Sequence, residues 1–312
     1  MLEPRIRLAL PFALLTAILA VSTSSVFVRF AQADAPSLVI AALRLTCAVL
    51  LLAPLTLARH HGELLALTRH ELVLGAISGI FLAVHFASWI SSLEYTSVAS
   101  SVVFVSTGPL WVALLSPMLL DERLSRAAVF GLAVAIAGGT IIGLADVCAW
   151  HGGLRCPELG QVMQGRAMWG NFLALAGAWT VSGYLIIGRK LRSQMSLIPY
   201  IFLVYGMAAL ALIVLMFAAG QSPFGYPLRT YGWIFLLAAF PQLIGHSTYN
   251  WVLRYIPATL VALITLVEPV TSAILAYFVL RETPTHGVLF GGLLILLGIY
   301  LASKPKSVTL SA

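Results

Sequence analysis

The sequence predicts an all-α membrane protein of ten transmembrane helices, arranged as two inverted five-helix repeats. Three observations predict it. Hydrophobic residues make up 60% of the 312 residues and charged residues only 9%, where a soluble domain carries roughly a quarter charged. Ten apolar windows recur along the chain, most of them long enough to cross a hydrocarbon core of about 30 Å as a helix. The chain also matches itself at a constant offset of 160 residues.

A soluble fold of this length leaves too much surface exposed to hide so many apolar side chains. Lipid is therefore the main solvent, consistent with a mean hydropathy of +0.98. A net charge of +7 would suggest nucleic acid in a soluble chain. Here Lys and Arg fill short gaps between apolar windows, where they orient the chain, and no nucleic-acid partner is expected. With the N-terminus inside, twelve of the eighteen basic residues fall inside and five outside, and Arg44 lies within a window. That asymmetry predicts a multi-pass protein of the cell (inner) membrane with both termini cytoplasmic.

The windows lie near 8–30, 36–57, 72–93, 98–120 and 127–144, then 168–188, 197–219, 233–252, 258–280 and 287–302. Each reads as a helix, because a lone span must satisfy its own backbone. Barrel strands would alternate polar and apolar residues, and these windows do not. Arg5, Arg7 and the run ending Ala20-Val21-Ser22 have the outline of a cleavable signal peptide. The window is long enough to span, however, and has a counterpart in the second half, so an uncleaved first span is expected. The predicted division is 1–145 as the first repeat, 146–166 as an extracytoplasmic loop, 167–304 as the second repeat and 305–312 as a cytoplasmic tail.

At the 160-residue offset, Leu93, Tyr95, Pro109, Glu122, Gly131 and Gly138 meet identical residues at Leu253, Tyr255, Pro269, Glu282, Gly291 and Gly298. Ser22 meets Ser182 and Arg29 meets Arg189. An odd number of spans per half inserts the two copies in opposite senses, placing Glu122 inside and Glu282 outside. Such repeats are common in secondary transporters.

The stretch Leu93-Glu94-Tyr95-Thr96-Ser97 through Pro109 to Asp121-Glu122-Arg123 resembles the motif of the EamA-type transporters, in the drug/metabolite transporter superfamily. So does Tyr255-Ile256-Pro257 through Glu268-Pro269 to Arg281-Glu282, and Arg29 and Arg44 also fit. The resemblance covers nearly the whole chain. It implies ten helices around a central cavity and the export or exchange of small metabolites, often amino acids or related compounds. It names no substrate.

Pro109 and Pro269 fall at equivalent mid-window positions, where proline removes a backbone donor and kinks a helix. They read as hinges or as static packing kinks. Glu268 beside Pro269 is a candidate for proton coupling or for binding a substrate amine, with a hydrogen-bonded structural acid as the alternative. Polar and aromatic stripes at helical spacing read as cavity lining. They are His85 and Trp89 in the third window, Phe104, Thr107 and Trp111 in the fourth, Asn171, Trp179 and Tyr184 in the sixth, and Gln242, His246, Tyr249 and Asn250 in the eighth. Interhelical hydrogen bonding is the alternative. His85 and His246 read as lining residues before proton carriers, and no metal site can be assembled. Arg44, Glu122 and Glu282 are given structural roles.

Cys148 and Cys156 sit in the outer loop, where a disulfide is open. No HExxH, GxSxG or phosphate-binding loop is present, so an enzyme is not expected. A membrane enzyme and a passive channel remain the alternatives to a carrier. The expected partners are a small-molecule substrate, the bilayer and protons as candidate coupling ion, with no cofactor.

Overall fold

The computed structural model describes residues 4–112, 115, 126–145, 149–150, 154–155, 165–255, 261, 265 and 267–302. Glu122, Cys148 and Cys156 lie outside these residues, as does most of the 146–166 loop.

Apart from a two-stranded antiparallel pair, β1 (Ala149–Trp150) and β2 (Leu154–Arg155), the described elements are helical. The first window forms α1 (Pro4–Ser22) and α2 (Ser24–Gln32). Pro36 stops that run and Ser37 starts α3 (Ser37–Arg59), followed by the short α4 (His61–Leu65). A capping box starts α5 (Arg69–Ser92): Thr68 Oγ1 accepts from Glu71 N, and the Glu71 carboxylate accepts from Thr68 N. Next come α6 (Val98–Val105), α7 (Arg126–Ala145), α8 (Arg166–Arg192) and α9 (Leu197–Ala218). The eighth window holds α10 (Leu228–Leu237), a π-helical stretch Ala238–His246 and α11 (Ser247–Val252). After α12 (Val267–Leu275) and the π-helical Ala276–Leu280, α13 (His286–Ala302) ends the described chain.

Among the described residues, five helical runs are long and apolar enough to cross a membrane: Ala9–Gln32, Ser37–Arg59, Arg69–Ser92, Arg166–Arg192 and Leu197–Ala218. Four shorter apolar helices accompany them. Phe12, Leu50, Phe130, Phe217 and Phe290 point outward and are exposed. So much outward apolar surface, far beyond what soluble monomers expose, fits a lipid-facing belt.

Helix contacts come in pairs related by the sequence offset. α5 packs on α8 as α1 packs on Ala238–His246, α6 packs on α8 as α1 packs on α12, and α5 packs on α9 as α3 packs on Ala238–His246. Three contacts are their own mates: α3 with α9, α6 with α12 and α7 with α13. Single hydrogen bonds follow the same rule. Gln32 Nε2 donates to Ile90 O at 2.8 Å, and the equivalent Arg192 Nε donates to Asn250 O at 3.1 Å. Ser22 Oγ bonds Ile18 O and Ser182 Oγ bonds Ala178 O, each at 2.7 Å. α7 and α13 cross antiparallel, with Gly138 against Gly291 and Gly131 against Gly298.

Polar side chains tie the loop ends to helix starts. The Glu94 carboxylate accepts from Ser37 N and Ser37 Oγ at the start of α3. Glu63 of α4 does the same at the start of α9, accepting from Ser196 N at 2.8 Å and Ser196 Oγ at 2.6 Å. Each carboxylate satisfies donors that a helix start leaves orphaned.

Candidate functional site

The central cavity, of about 100 Å³, lies where the two halves meet. The first half contributes Ser24 from α2, His85 and Trp89 from α5, and Ser106, Gly108 and Pro109 from the break after α6. The second contributes Tyr184 from α8, His246, Tyr249, Asn250, Thr265 and Glu268. Val105, Val181 and Leu185 supply apolar wall.

The backbone at the two prolines differs from a simple kink. Helix stops at Ser106–Thr107 and resumes at Gly108, so Pro109 stands in the first turn of a new helical segment. Likewise Pro269 stands in the first turn of α12. A proline there loses no intrahelical bond, because those N–H groups are unpaired anyway. The stretch Ala238–His246 has a proline of its own, Pro241, which cannot donate to the preceding turn, and wider turns accommodate it.

His85 Nδ1 lies 2.9 Å from Gly177 O, and the His85 ring stacks at 6° on Trp89. The His246 ring meets Phe86 and Tyr249 edge-on. Tyr184 Oη donates to Asn250 Oδ1 at 2.7 Å, and Asn250 Nδ2 donates to Tyr205 Oη at 3.3 Å. Behind this wall Arg44 is 0% exposed. Its Nε donates to Gln242 Oε1 at 3.1 Å and its Nη1 to Ser24 Oγ at 3.2 Å, while its guanidinium lies 4.1 Å over Phe86. Among the described residues neither Arg44 nor Glu268 has an ion-pair partner within 4.0 Å.

Of the residues singled out from sequence, the structure brings His85, Trp89, Tyr184, His246, Tyr249, Asn250, Pro109 and Glu268 to one cavity. It places the others elsewhere. Phe104 packs toward Gly139, and Thr107 accepts from Trp111 Nε1 at 3.2 Å. Trp111 in turn packs on Trp179, which is 57% exposed and faces outward. The break at Ser106–Thr107 shifts the helical phase, so the stripe read through the fourth window does not stay on one face. Asn171 accepts from Thr96 Oγ1 at 2.9 Å, and Gln242 is buried behind the wall beside Arg44. Pro269 is buried next to Glu268 but off the wall. Sequence reasoning missed Ser24, whose signal was the cluster Ser22, Ser24 and Ser25 in an apolar run.

A second cavity, of about 480 Å³, opens at one end of the bundle around Arg29, Glu94, Thr96, Ser97 and Glu282. Arg29 Nη2 pairs with Glu282 Oε1 at 3.0 Å and donates to Thr96 O at 2.9 Å, and Nη1 donates to Leu93 O. Glu282 Oε2 accepts from Val98 N at 2.9 Å. One ion pair thus joins the end of α2, the α5–α6 connection and the segment before α13. Arg281, in the left-handed conformation at φ 60°, turns the chain into that pair. No group of His, Cys, Asp and Glu able to hold a metal occurs among the described residues.

A model of the EamA-like transporter family matches the chain twice, over residues 8–144 and 168–304. An uncharacterized transporter of Archaeoglobus fulgidus is 24% identical over 282 residues, covering 90% of this chain and 91% of its own length. The uncharacterized transporter YetK of Bacillus subtilis is 24% identical over 242 residues, 75% of this chain and 68% of its own. A solved crystal structure matches with a TM-score of 0.64 at 22% identity, over 94% of this chain and 96% of that one. At that identity the likeness speaks for the fold alone.

Proposed function

The chain belongs to the EamA-like transporter family, and on that premise we propose that it is a secondary active transporter working by alternating access. Its ten apolar segments cross the inner membrane as two inverted halves with cytoplasmic termini. It exports or exchanges small metabolites, amino acids or related amphipathic compounds. The observation that carries this reading is the central cavity walled by both repeats, with an unpaired carboxylate, Glu268, on its surface. An ionisable group at membrane depth marks a substrate or ion pathway by default. The symmetry-paired contacts supply the means, since near-equivalent movements of the two halves would open the cavity to either side. At about 100 Å³ the cavity is smaller than the several hundred Å³ of drug-sized pockets. The halves therefore have to part for a substrate to enter.

The purified protein in proteoliposomes is tested with labelled amino acids and related amphipathic metabolites, with and without a pH gradient. Saturable flux with counterflow is expected. Flux that rises without saturation, or a conductance, would mean a channel and would overturn the reading.

A further inference from the structure

The residues around the central cavity carry hydrogen-bond donors that no described residue satisfies. Trp89 Nε1 and Tyr249 Oη belong to cavity-lining residues, are buried and have no hydrogen-bond partner. Arg44 Nη2, in the layer behind, has none either. The three residues are 4%, 6% and 0% exposed. An indole N–H and a guanidinium can only donate. Ser24 extends the pattern: its Oγ accepts from Arg44 Nη1, which leaves its hydroxyl proton free to turn toward the cavity it lines. Buried donors are normally paired, and each exception calls for an explanation. Here two unpaired donors on cavity-lining residues meet a third on a buried guanidinium in the layer behind, which has no ion pair among the described residues. Glu268, also on the wall, does not answer them, since none of the three reaches it.

What these donors lack is an acceptor within reach, since the Glu268 carboxylate on the same wall does not bond to them. Building on the carrier reading, we infer that the transported molecule presents a carboxylate, or a comparable oxyanion, to Trp89, Tyr249 and Ser24. Arg44 is the fixed countercharge behind Ser24, a positioning residue rather than a direct contact. The apolar body of the molecule lies along Val105, Val181 and Leu185. Charge-assisted hydrogen bonds of this kind are shorter and stronger than neutral ones, most of all where water is excluded.

Binding is read without transport. The full chain in lipid nanodiscs is titrated with sodium acetate, sodium chloride, acetamide and ethylammonium chloride, and Tm is followed, because a ligand of the folded state raises it. Acetate is expected to raise Tm saturably and acetamide less, with no effect of chloride or ethylammonium beyond ionic strength. Trp89→Phe and Tyr249→Phe each remove one donor and keep an aromatic ring, and each should weaken apparent acetate affinity about tenfold. Arg44→Gln should weaken it further. If that variant does not fold, the two aromatic variants decide. A larger response to ethylammonium, an equal response to all four solutes, no response to any, or wild-type acetate binding in both aromatic variants overturns the inference. Each of those outcomes leaves the carrier reading standing, because that reading falls only on the flux experiment.

Discussion

Gly138 and Gly291 meet backbone to backbone: a Cβ on Gly138 would stand 2.5 Å from Gly291 O, and one on Gly291 2.6 Å from Gly138 O. The Gly131–Gly298 contact repeats the arrangement about two turns away on each helix, with the repeat partners exchanged. Small residues at such a crossing let two membrane helices approach closely, and packing is what holds helices together once water is gone. Gly138→Leu should therefore push α7 and α13 apart and destabilise the protein by about 1–3 kcal/mol or more. A fall in Tm of the detergent-solubilised protein checks it. Gly206, whose added Cβ meets nothing within 4 Å, is the control, and Gly206→Ala should leave Tm unchanged or raise it slightly.

The Arg29–Glu282 pair is more than an ion pair. Arg29 also serves the carbonyls of Leu93 and Thr96, and Glu282 serves Val98 N. Both side chains are about a quarter exposed, at 26% and 27%. Glu282→Gln should cost about 1.5–3 kcal/mol, the range for hydrogen bonds to charged groups. Exchanging the charges, Arg29→Glu with Glu282→Arg, should not restore stability, because a carboxylate at position 29 cannot donate to two carbonyls. Recovery of wild-type Tm in the double variant would show that attraction alone matters there.

Much of this architecture was legible in the sequence, and the reason is physical. Lipid imposes helix on any apolar window, so helix positions follow from hydropathy. The offset is legible because Pro109/Pro269 and Gly138/Gly298 sit where backbone breaks and close crossings need those residue types. The site was only half legible. Periodicity assumes a continuous α-helix, and that fails at Ser106–Thr107 and through Ala238–His246, so Thr107, Trp111 and Gln242 leave the wall their spacing assigned them. The serine cluster around Ser24 marked a polar spot in the first window, but its place at the wall depends on Arg44, a contact across 20 residues between two helices. Unsatisfied donors such as Trp89 Nε1 exist only as a property of the packed structure.

Asp34 sits in the connection between α2 and α3 and holds Arg229 in a fork, with Nε at 3.0 Å and Nη2 at 2.9 Å, while Thr230 Oγ1 adds a bond at 2.7 Å. The Arg229 hydrogen bonds, then that of Thr230, hold the Asp34 carboxyl below its ordinary value. The folded state thus favours the ionised form. The contribution is fully present above the usual aspartate value of about 3.9 and is lost as pH falls through the lower folded value. Asp34→Asn removes that dependence. Between about pH 6 and pH 3, wild type should lose more Tm than Asp34→Asn, and parallel curves would assign the acid sensitivity to other carboxylates.

Glu268 is the candidate residue for proton coupling under the proposed function. Its carboxyl faces the cavity without an ion partner, and its backbone N–H is tied to Thr265 O at 2.9 Å. On the carrier reading, a carboxylate so placed would exchange a proton with whichever side the cavity opens to. Glu268→Gln keeps the size and the polar contacts and removes the titratable proton. If Glu268 couples transport to protons, the variant should express and fold as wild type and lose accumulation driven by a pH gradient. Counterflow, which needs only exchange of bound substrate, should persist, and its rate should no longer vary with pH. Gradient-driven accumulation at the wild-type level in Glu268→Gln would move coupling to another group or remove it altogether. Loss of both activities would instead make Glu268 a substrate contact.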